Sequence, residues 1–313
     1  MSKIALIFPG QGSQSVCMGK ELFESSDKAR EIFNKANEIL GYDLSEICFN
    51  GPEEELKKTI HTQPAILTVS IAALEALKEK TNLEVALVAG HSLGEYVAMY
   101  AAGSLDLASV LKLIAKRAEL MNEAATKTSG TMAAILGLTK DKVESCLSDS
   151  SIDGIVSVAN FNSPEQIVIT GEIDAVNSAM EALKNEGAKR CIPLPVSGAF
   201  HSALMKNASS EFKEFVDAFT VLDATIPVIT NVDAKITTSG KELQDKMPKQ
   251  IYSSVYWTQT IQEMLKEEIT TFIEIGPGKV LAGLNKKIDS TVTTYNVYDM
   301  STLESTINAL QTI

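Results

Sequence analysis

The sequence predicts an α/β protein in which a parallel sheet with covering helices is interrupted by a small α+β unit. Three observations lead there. Strand and helix signals alternate through roughly the first hundred residues; from Thr131 the rhythm changes to a βαββαβ order completed in about seventy residues; and the larger pattern resumes after Ser197.

Each element follows from local patterning. The run from Ile4 to Phe8 is apolar, stops at Pro9-Gly10, and reads as a strand. A long helical region runs from Lys20 to Leu40 and another lies around Pro64 to Lys80, followed by a buried strand from Val85 to Ala89. Glu95 to Ala102 and Asp106 to Ala125 read as helices. The inserted unit then reads strand (Met132 to Leu138), helix (Lys140 to Leu147), strand (Ile155 to Asn160), strand (Gln166 to Thr170), helix (Ile173 to Asn185) and strand (Arg190 to Val196). That order is ferredoxin-like and compact enough to fold as an insert. A helix from Ala203 to Phe219, a strand from Pro227 to Asn231 and a late strand from Thr271 to Ile275, ending in Gly276-Pro277-Gly278, complete the larger pattern. The expected domains are therefore 1–127 with 198–313, and 128–197.

Composition narrows the class of function. The chain has 313 residues, 45% hydrophobic and 22% charged, enough for a full core. Met1-Ser2-Lys3 leads directly into the first strand, too short for a signal peptide, and no apolar stretch approaches the roughly 20 residues that span a bilayer. Cys17, Cys48, Cys146 and Cys191 are scattered without a CxxC pair, which argues against disulfides and a zinc cage and for a reducing cytoplasm. A formal net charge of −12 opposes non-specific nucleic-acid binding. Lys189-Arg190 and Lys286-Lys287 are the densest cationic pairs, either ordinary solvated surface or part of a local basic patch.

The chemistry centres on Gly90-His91-Ser92-Leu93-Gly94, a GxSxG pentapeptide between a strand and a helix. At such a turn small residues let the chain bend tightly, the serine hydroxyl stands clear of the backbone, and the next helix directs N–H groups toward developing negative charge. An ordinary glycine turn is the bland alternative. A serine needs a base, and the chain has three histidines. His201, at the seam where the insert returns to the larger unit, ranks first; His61 ranks second; His91 adjoins the serine and points elsewhere. No pair of histidines has metal-ligand spacing.

Arg117 is a second clue. On a helical wheel it falls between Met121 and Leu113, inside the apolar sector, while Lys112, Lys116 and Glu119 occupy the opposite side. A buried guanidinium needs an anionic or hydrogen-bonding partner, supplied either by the chain or by a ligand; its planar fork suits a carboxylate. Phe8-Pro9-Gly10-Gln11-Gly12-Ser13-Gln14 adds a glycine-rich loop whose N–H groups could serve as oxyanion donors. It is no dinucleotide fingerprint, and no GxxxxGK[ST] occurs.

Together, the Phe8 to Gln14 loop, Gly90-His91-Ser92-Leu93-Gly94-Glu95, Arg117, Gly198-Ala199-Phe200-His201-Ser202 and Ile275-Gly276-Pro277-Gly278 resemble the malonyl-CoA:acyl carrier protein transacylases of type II fatty-acid synthesis, in the same order along essentially the whole chain. The resemblance implies an α/β-hydrolase-like core carrying a ferredoxin-like insert. It implies Ser92 as nucleophile, His201 as general base, the N–H groups of Gln11 and Leu93 as the oxyanion hole, and Arg117 as the grip on the malonyl carboxylate. It also implies that the backbone carbonyl of Gln250 orients His201, where the residues alone would suggest Glu274. Phe200 matches the form linked with malonyl rather than methylmalonyl units, and Glu165 departs from the glycine often found there. The implied substrates are malonyl-CoA and the phosphopantetheine thiol of holo acyl carrier protein, with no resident cofactor, no metal, no nucleic acid and no membrane, in a cytoplasmic monomer. Two rivals stand beside it. A serine esterase or thioesterase would share the elbow, but its usual late histidine is missing after His201. A non-catalytic carrier-protein-binding subunit would share the fold.

Overall fold

The computed structural model describes residues 3–148, 152–196 and 198–311. Ser197, the expected end of the small unit, lies outside the described residues, as do Met1 and Ser2.

Burial on both faces of the central strands explains the larger sheet. Ten strands are described: β1 (Lys3–Phe8), β2 (Val85–Gly90), β3 (Gly130–Leu136), β4 (Val156–Ser163), β5 (Gln166–Glu172), β6 (Arg190–Pro193), β7 (Val228–Ile229), β8 (Ile236–Thr237), β9 (Ile269–Ile275) and β10 (Thr293–Val297). In β1, Leu6 and Phe8 enter one core with Val88, Ile273 and the helix Thr59–Lys80. Ala5 and Ile7 enter another with Leu87, Phe272 and Trp257. Both faces are covered, as a central parallel sheet requires. The strand order is β10-β9-β1-β2-β7-β8; its pairs are parallel except β7 with β8 at the edge.

The second sheet is antiparallel, in the order β4-β5-β3-β6. The helices Lys140–Leu147 and Ile173–Asn185 match their expected bounds and cover one face over Ala133, Ile135, Val158, Ile167 and Ile169. Its other face turns toward the large core through Met132, Ala134 and Val168. Asn160 of β4 bridges Val255, in the segment between the helices Gly240–Tyr252 and Trp257–Lys266, and lines the same cleft as the elbow.

Several elements differ from expectation. The Lys20 to Leu40 region breaks into Lys20–Ser25 and Asp27–Leu40, because Ser26 is extended and its hydroxyl caps the Ala29 N–H. The Thr59–Lys80 helix starts earlier than expected and carries Pro64 within it; at 22 residues it is long and apolar enough to cross a membrane, contrary to the reading that no stretch is. Its apolar surface is instead core, since helices and the sheet pack around it: Ala65, Ile66, Leu67, Val69 and Ile71 are all buried. The Ala203 to Phe219 helix is a 3₁₀ turn, Ala203–Met205, followed by Lys206–Val216. The strand expected from Pro227 to Asn231 keeps only Val228 and Ile229, since Thr230 turns to Asp233 and Lys246 while Asn231 turns to the serine. Helices Gly240–Tyr252 and Trp257–Lys266 carry no expectation from pattern; Pro248 inside the first masks its period.

Candidate active site

Close packing of backbone forces the elbow. Ser92 joins β2 to the helix Gly94–Ala101 with φ +51°, the left-handed region that non-glycine residues seldom occupy. A Cβ on Gly90 would lie 1.9 Å from the carbonyl carbon of Gly94, and one on Gly94 would lie 2.3 Å from the oxygen of Phe8. Both glycines are therefore required. The bend is tied by Asn231, whose Oδ1 accepts the Ser92 N–H at 2.8 Å and whose Nδ2 donates to the Gly90 carbonyl at 2.7 Å.

His201 arrives from the seam, also with positive φ, +58°. Its Nε2 lies 2.9 Å from the Ser92 Oγ. Its Nδ1 lies 2.9 Å from the carbonyl of Gln250 and 3.1 Å from that of Ser253. Both carbonyls can only accept, so Nδ1 carries the proton and Nε2 presents its lone pair to the serine. Burial, with the Arg117 charge beside it, pushes the His201 pKa down to about 3, so the ring is neutral at pH 7.

Arg117, on the helix Leu107–Lys127, is wholly buried. Nη1 donates to Gln63 Oε1 at 2.6 Å, and Nη2 to Gln250 Oε1 at 2.9 Å and to Ser92 Oγ at 3.1 Å. The ring of Tyr96 lies 5.6 Å from its guanidinium carbon. Among the described residues its Nε has no partner and no carboxylate forms an ion pair with it. Glu95 acts on it only through space; that carboxylate takes the Asn231 N–H, and burial raises its pKa to about 7.

Gln11, Ser92, Leu93, Arg117, Phe200 and His201 line one narrow cleft of about 100 Å³, with Met121, Met132, Leu194 and Val196 as apolar walls. Larger hollows, such as one of about 530 Å³ beside Glu172 and Asp174, lie away from the serine. Among the described residues neither the Gln11 nor the Leu93 N–H has a backbone acceptor, so both can meet an anion in the cleft. None of the described His, Cys, Asp and Glu residues converge in groups of three or more that could hold a metal.

Of the remaining candidates, His91 lines the same cleft but is engaged by another partner, while His61 and Glu274 are held by other contacts. His61, ranked second as base, has its Nδ1 3.1 Å from the Glu55 carbonyl and 3.5 Å from the Glu55 carboxylate. His91 binds Asn162 at 2.8 Å. Glu274 caps the helix Val280–Ile288 through the N–H groups of Leu281 and Ala282 and takes Asn296 as well, so it is not the group that orients His201. Burial raises its pKa to about 7. Gln63 and Asn231, and the side chain of Gln250, escape a reading of the sequence. Gln63 had one available signal, an amide inside an apolar helix, where it needs a partner. Lys189 pairs with Glu165 at 3.3 Å and Lys287 reaches the neighbouring Gln166 at 3.4 Å, so the β4–β5 turn joins the two cationic pairs along one flank.

Comparison with known proteins accords with this arrangement. A family model described as "Acyl transferase domain" matches residues 5–304. The malonyl CoA-acyl carrier protein transacylase of Bacillus subtilis is 46% identical, over 99% of this chain and 98% of the relative. The crystal structure of an acyl carrier protein S-malonyltransferase from Vibrio cholerae superposes with a TM-score of 0.94 at 41% identity, covering 97% of this chain and 100% of that one. A malonyl-transacylase solved in complex with a type II polyketide acyl-carrier protein gives a TM-score of 0.95 at 39% identity, covering both chains fully.

Proposed function

From the premise that this chain belongs to the malonyl CoA-acyl carrier protein transacylases of the acyl transferase family, we propose that it carries a malonyl group from malonyl-CoA to the phosphopantetheine thiol of holo acyl carrier protein, for fatty-acid biosynthesis, through an ester on Ser92. One observation carries the choice of acyl group: a wholly buried arginine, 3.1 Å from the nucleophile, whose hydrogen-bond acceptors among the described residues are all neutral oxygens. A buried cation without a counterion is costly, and a carboxylate on the acyl group supplies the missing charge.

The steps follow from the geometry. His201 Nε2 takes the Ser92 proton as Oγ attacks the thioester carbonyl, and the N–H groups of Gln11 and Leu93 receive the oxyanion, each such donor contributing about 3 kcal/mol. The tetrahedral species collapses, the carbon–sulfur bond breaks, and the thiolate of CoA takes the proton from His201. In the second half the carrier thiol gives its proton to His201 and attacks the ester; Ser92 leaves and recovers that proton. The Gln250 carbonyl keeps the Nδ1 proton in place throughout. Arg117 discriminates against acetyl groups, which leave its charge unmatched.

The finer architecture belongs to the same proposal. The β4-β5-β3-β6 order supports reading 128–197 as a ferredoxin-like domain inserted between 1–127 and 198–313, the latter pair forming an α/β-hydrolase-like core. The flank bearing Lys189, Arg190, Lys286 and Lys287 is the expected docking face for an acidic carrier protein, despite the net charge of −12. Charge reversal there should slow transfer to carrier protein and spare self-acylation. We read the protein as a cytoplasmic monomer needing no resident cofactor and binding neither nucleic acid nor membrane. Its large exposed apolar residues, including Ile60, Leu222 and Val280, are scattered along the chain, and none of its cysteines is in a disulfide.

Incubation with malonyl-CoA or acetyl-CoA followed by intact-mass measurement tests the central claim. A malonyl adduct is expected, absent in Ser92→Ala, with little acetyl adduct. A wild-type chain that takes no adduct defeats the ester mechanism; rapid release of free malonate instead of transfer to a thiol would indicate a hydrolase.

A further inference from the structure

We infer that Asn231 is a positioning residue for the nucleophile: its side-chain amide holds the Gly90 to Ser92 backbone so that the next N–H, that of Leu93, faces the reacting carbonyl. The inference rests on the acyl-enzyme reading above. Asn231 is wholly buried just beyond β7. Its Oδ1 satisfies the Ser92 N–H at 2.8 Å and its Nδ2 the Gly90 carbonyl at 2.7 Å, so one planar amide spans the bend. Buried backbone groups at a sharp turn need such partners, and a serine at φ +51° persists only where its surroundings enforce it.

Asn231 is itself fixed from three sides. Its own N–H donates to the carboxylate of Glu95, in the first turn of the helix after the elbow. Gln250 Nε2 reaches its Oδ1 at 3.3 Å and the Ser92 carbonyl at 2.8 Å. The loop that carries it is pinned by Lys246, 3.2 Å from Thr230 Oγ1 and 3.1 Å from the Asp233 carboxylate. Turning the Ser92 N–H inward onto Asn231 leaves the Leu93 N–H for the cleft. Releasing it lets both peptide planes rotate together, and the oxyanion donor moves with them. The residue type follows from this geometry. Aspartate of the same shape sets an acceptor against the Gly90 carbonyl; leucine fills the space and satisfies neither group.

The test compares wild type with Asn231→Asp and Asn231→Leu in two reactions of Ser92, malonyl loading from malonyl-CoA and labelling by a fluorophosphonate, each expressed per titratable folded site. Both variants should slow both reactions about 10- to 100-fold, the scale of a donor displaced by ~1 Å. KM for malonyl-CoA should stay within about twofold, because none of the hydrogen bonds that hold Arg117 is made by Asn231 itself. Per-site rates like those of wild type, a loss expressed only as fewer folded sites, or an effect on KM alone would each overturn the assignment. Should neither variant fold, amide exchange in the wild type decides: the Ser92 N–H must be far better protected than that of Leu93, and equal exchange rejects the idea. A wild type that takes the fluorophosphonate but no malonyl group defeats the transfer reading, while the labelling rates still judge Asn231.

Discussion

Two buried cations, Arg117 and Lys246, are treated in opposite ways. Lys246, 7% exposed, meets the carboxylates of Glu242 at 2.7 Å and Asp233 at 3.1 Å and the hydroxyl of Thr237 at 2.8 Å. Arg117, wholly buried, meets the amide oxygens of Gln63 and Gln250 and the Ser92 hydroxyl, with no carboxylate among the described residues in ion-pair range. The first charge is compensated by the fold and serves to pin a loop. The second is held in position without a direct ion pair, Glu95 acting on it only through space, which is the arrangement a site needs if the contacting counterion is to arrive on the substrate. Amides suit that task because they orient a guanidinium fork without neutralising it.

The most severe way to break the contrast is to remove the uncompensated charge. Arg117→Met should lower malonyl loading about 100- to 1,000-fold, equivalent to about 3–4 kcal/mol, and narrow the preference over acetyl, with stability equal to or above wild type because a buried charge is gone. Competition loading with the two thioesters and urea unfolding measure both halves. Supplying the missing counterion is gentler. Gln63→Glu would make Arg117 resemble Lys246, and loading by malonyl-CoA should fall about 10-fold or more while the fluorophosphonate reaction of Ser92 is much less affected.

The compensated site responds chiefly in stability. Lys246→Met strands Asp233 and Glu242, both partly exposed, and should cost about 1–2 kcal/mol in urea unfolding, less than a fully buried pair because water screens the partners. Acidity reports on Arg117 again. The His201 pKa, about 3, lies below the ordinary histidine value, so its base form survives acidification and the acid limb of kcat/KM for the loading half-reaction should lie well below pH 6.5. Bound malonate-like charge neutralises Arg117 and lifts part of that depression, so the limb of the single-turnover rate at saturation should sit at higher pH than that of kcat/KM. Identical limbs would remove Arg117 as a cause. The stability sign is separate: the unfolded chain protonates this histidine first, so its contribution is lost as pH falls from about 6.5 toward 3. At the small end, Lys213→Ala breaks an exposed i,i+4 pair with Asp217 and should leave the urea unfolding midpoint nearly unchanged.

Ser92, Arg117 and the preference for His201 were visible along the chain because each has a local signature: glycines at a strand-to-helix turn, a charge within an apolar helical sector, a histidine at a seam. The βαββαβ order was visible for the same reason, with both helices of the small unit matching their bounds. The late helices were not, since Pro248 interrupts the pattern of one and Gly276-Pro277-Gly278 precedes another. Gln250 entered only through family likeness, and then as a carbonyl; its side chain, which touches Arg117, Ser92 and Asn231, had no signature of its own.

By itself the sequence determined the bend, the place of Ser92 on it and the burial of one arginine, because backbone sterics and helical period act over a few residues. Tertiary structure alone decided that Gln63, Asn231 and Gln250 converge on the Ser92 cleft, that Glu274 caps a helix instead of orienting His201, and that no carboxylate among the described residues pairs with Arg117. Those outcomes depend on packing between segments up to 158 residues apart in the chain, where residue type says what a group can bond to but not which group arrives.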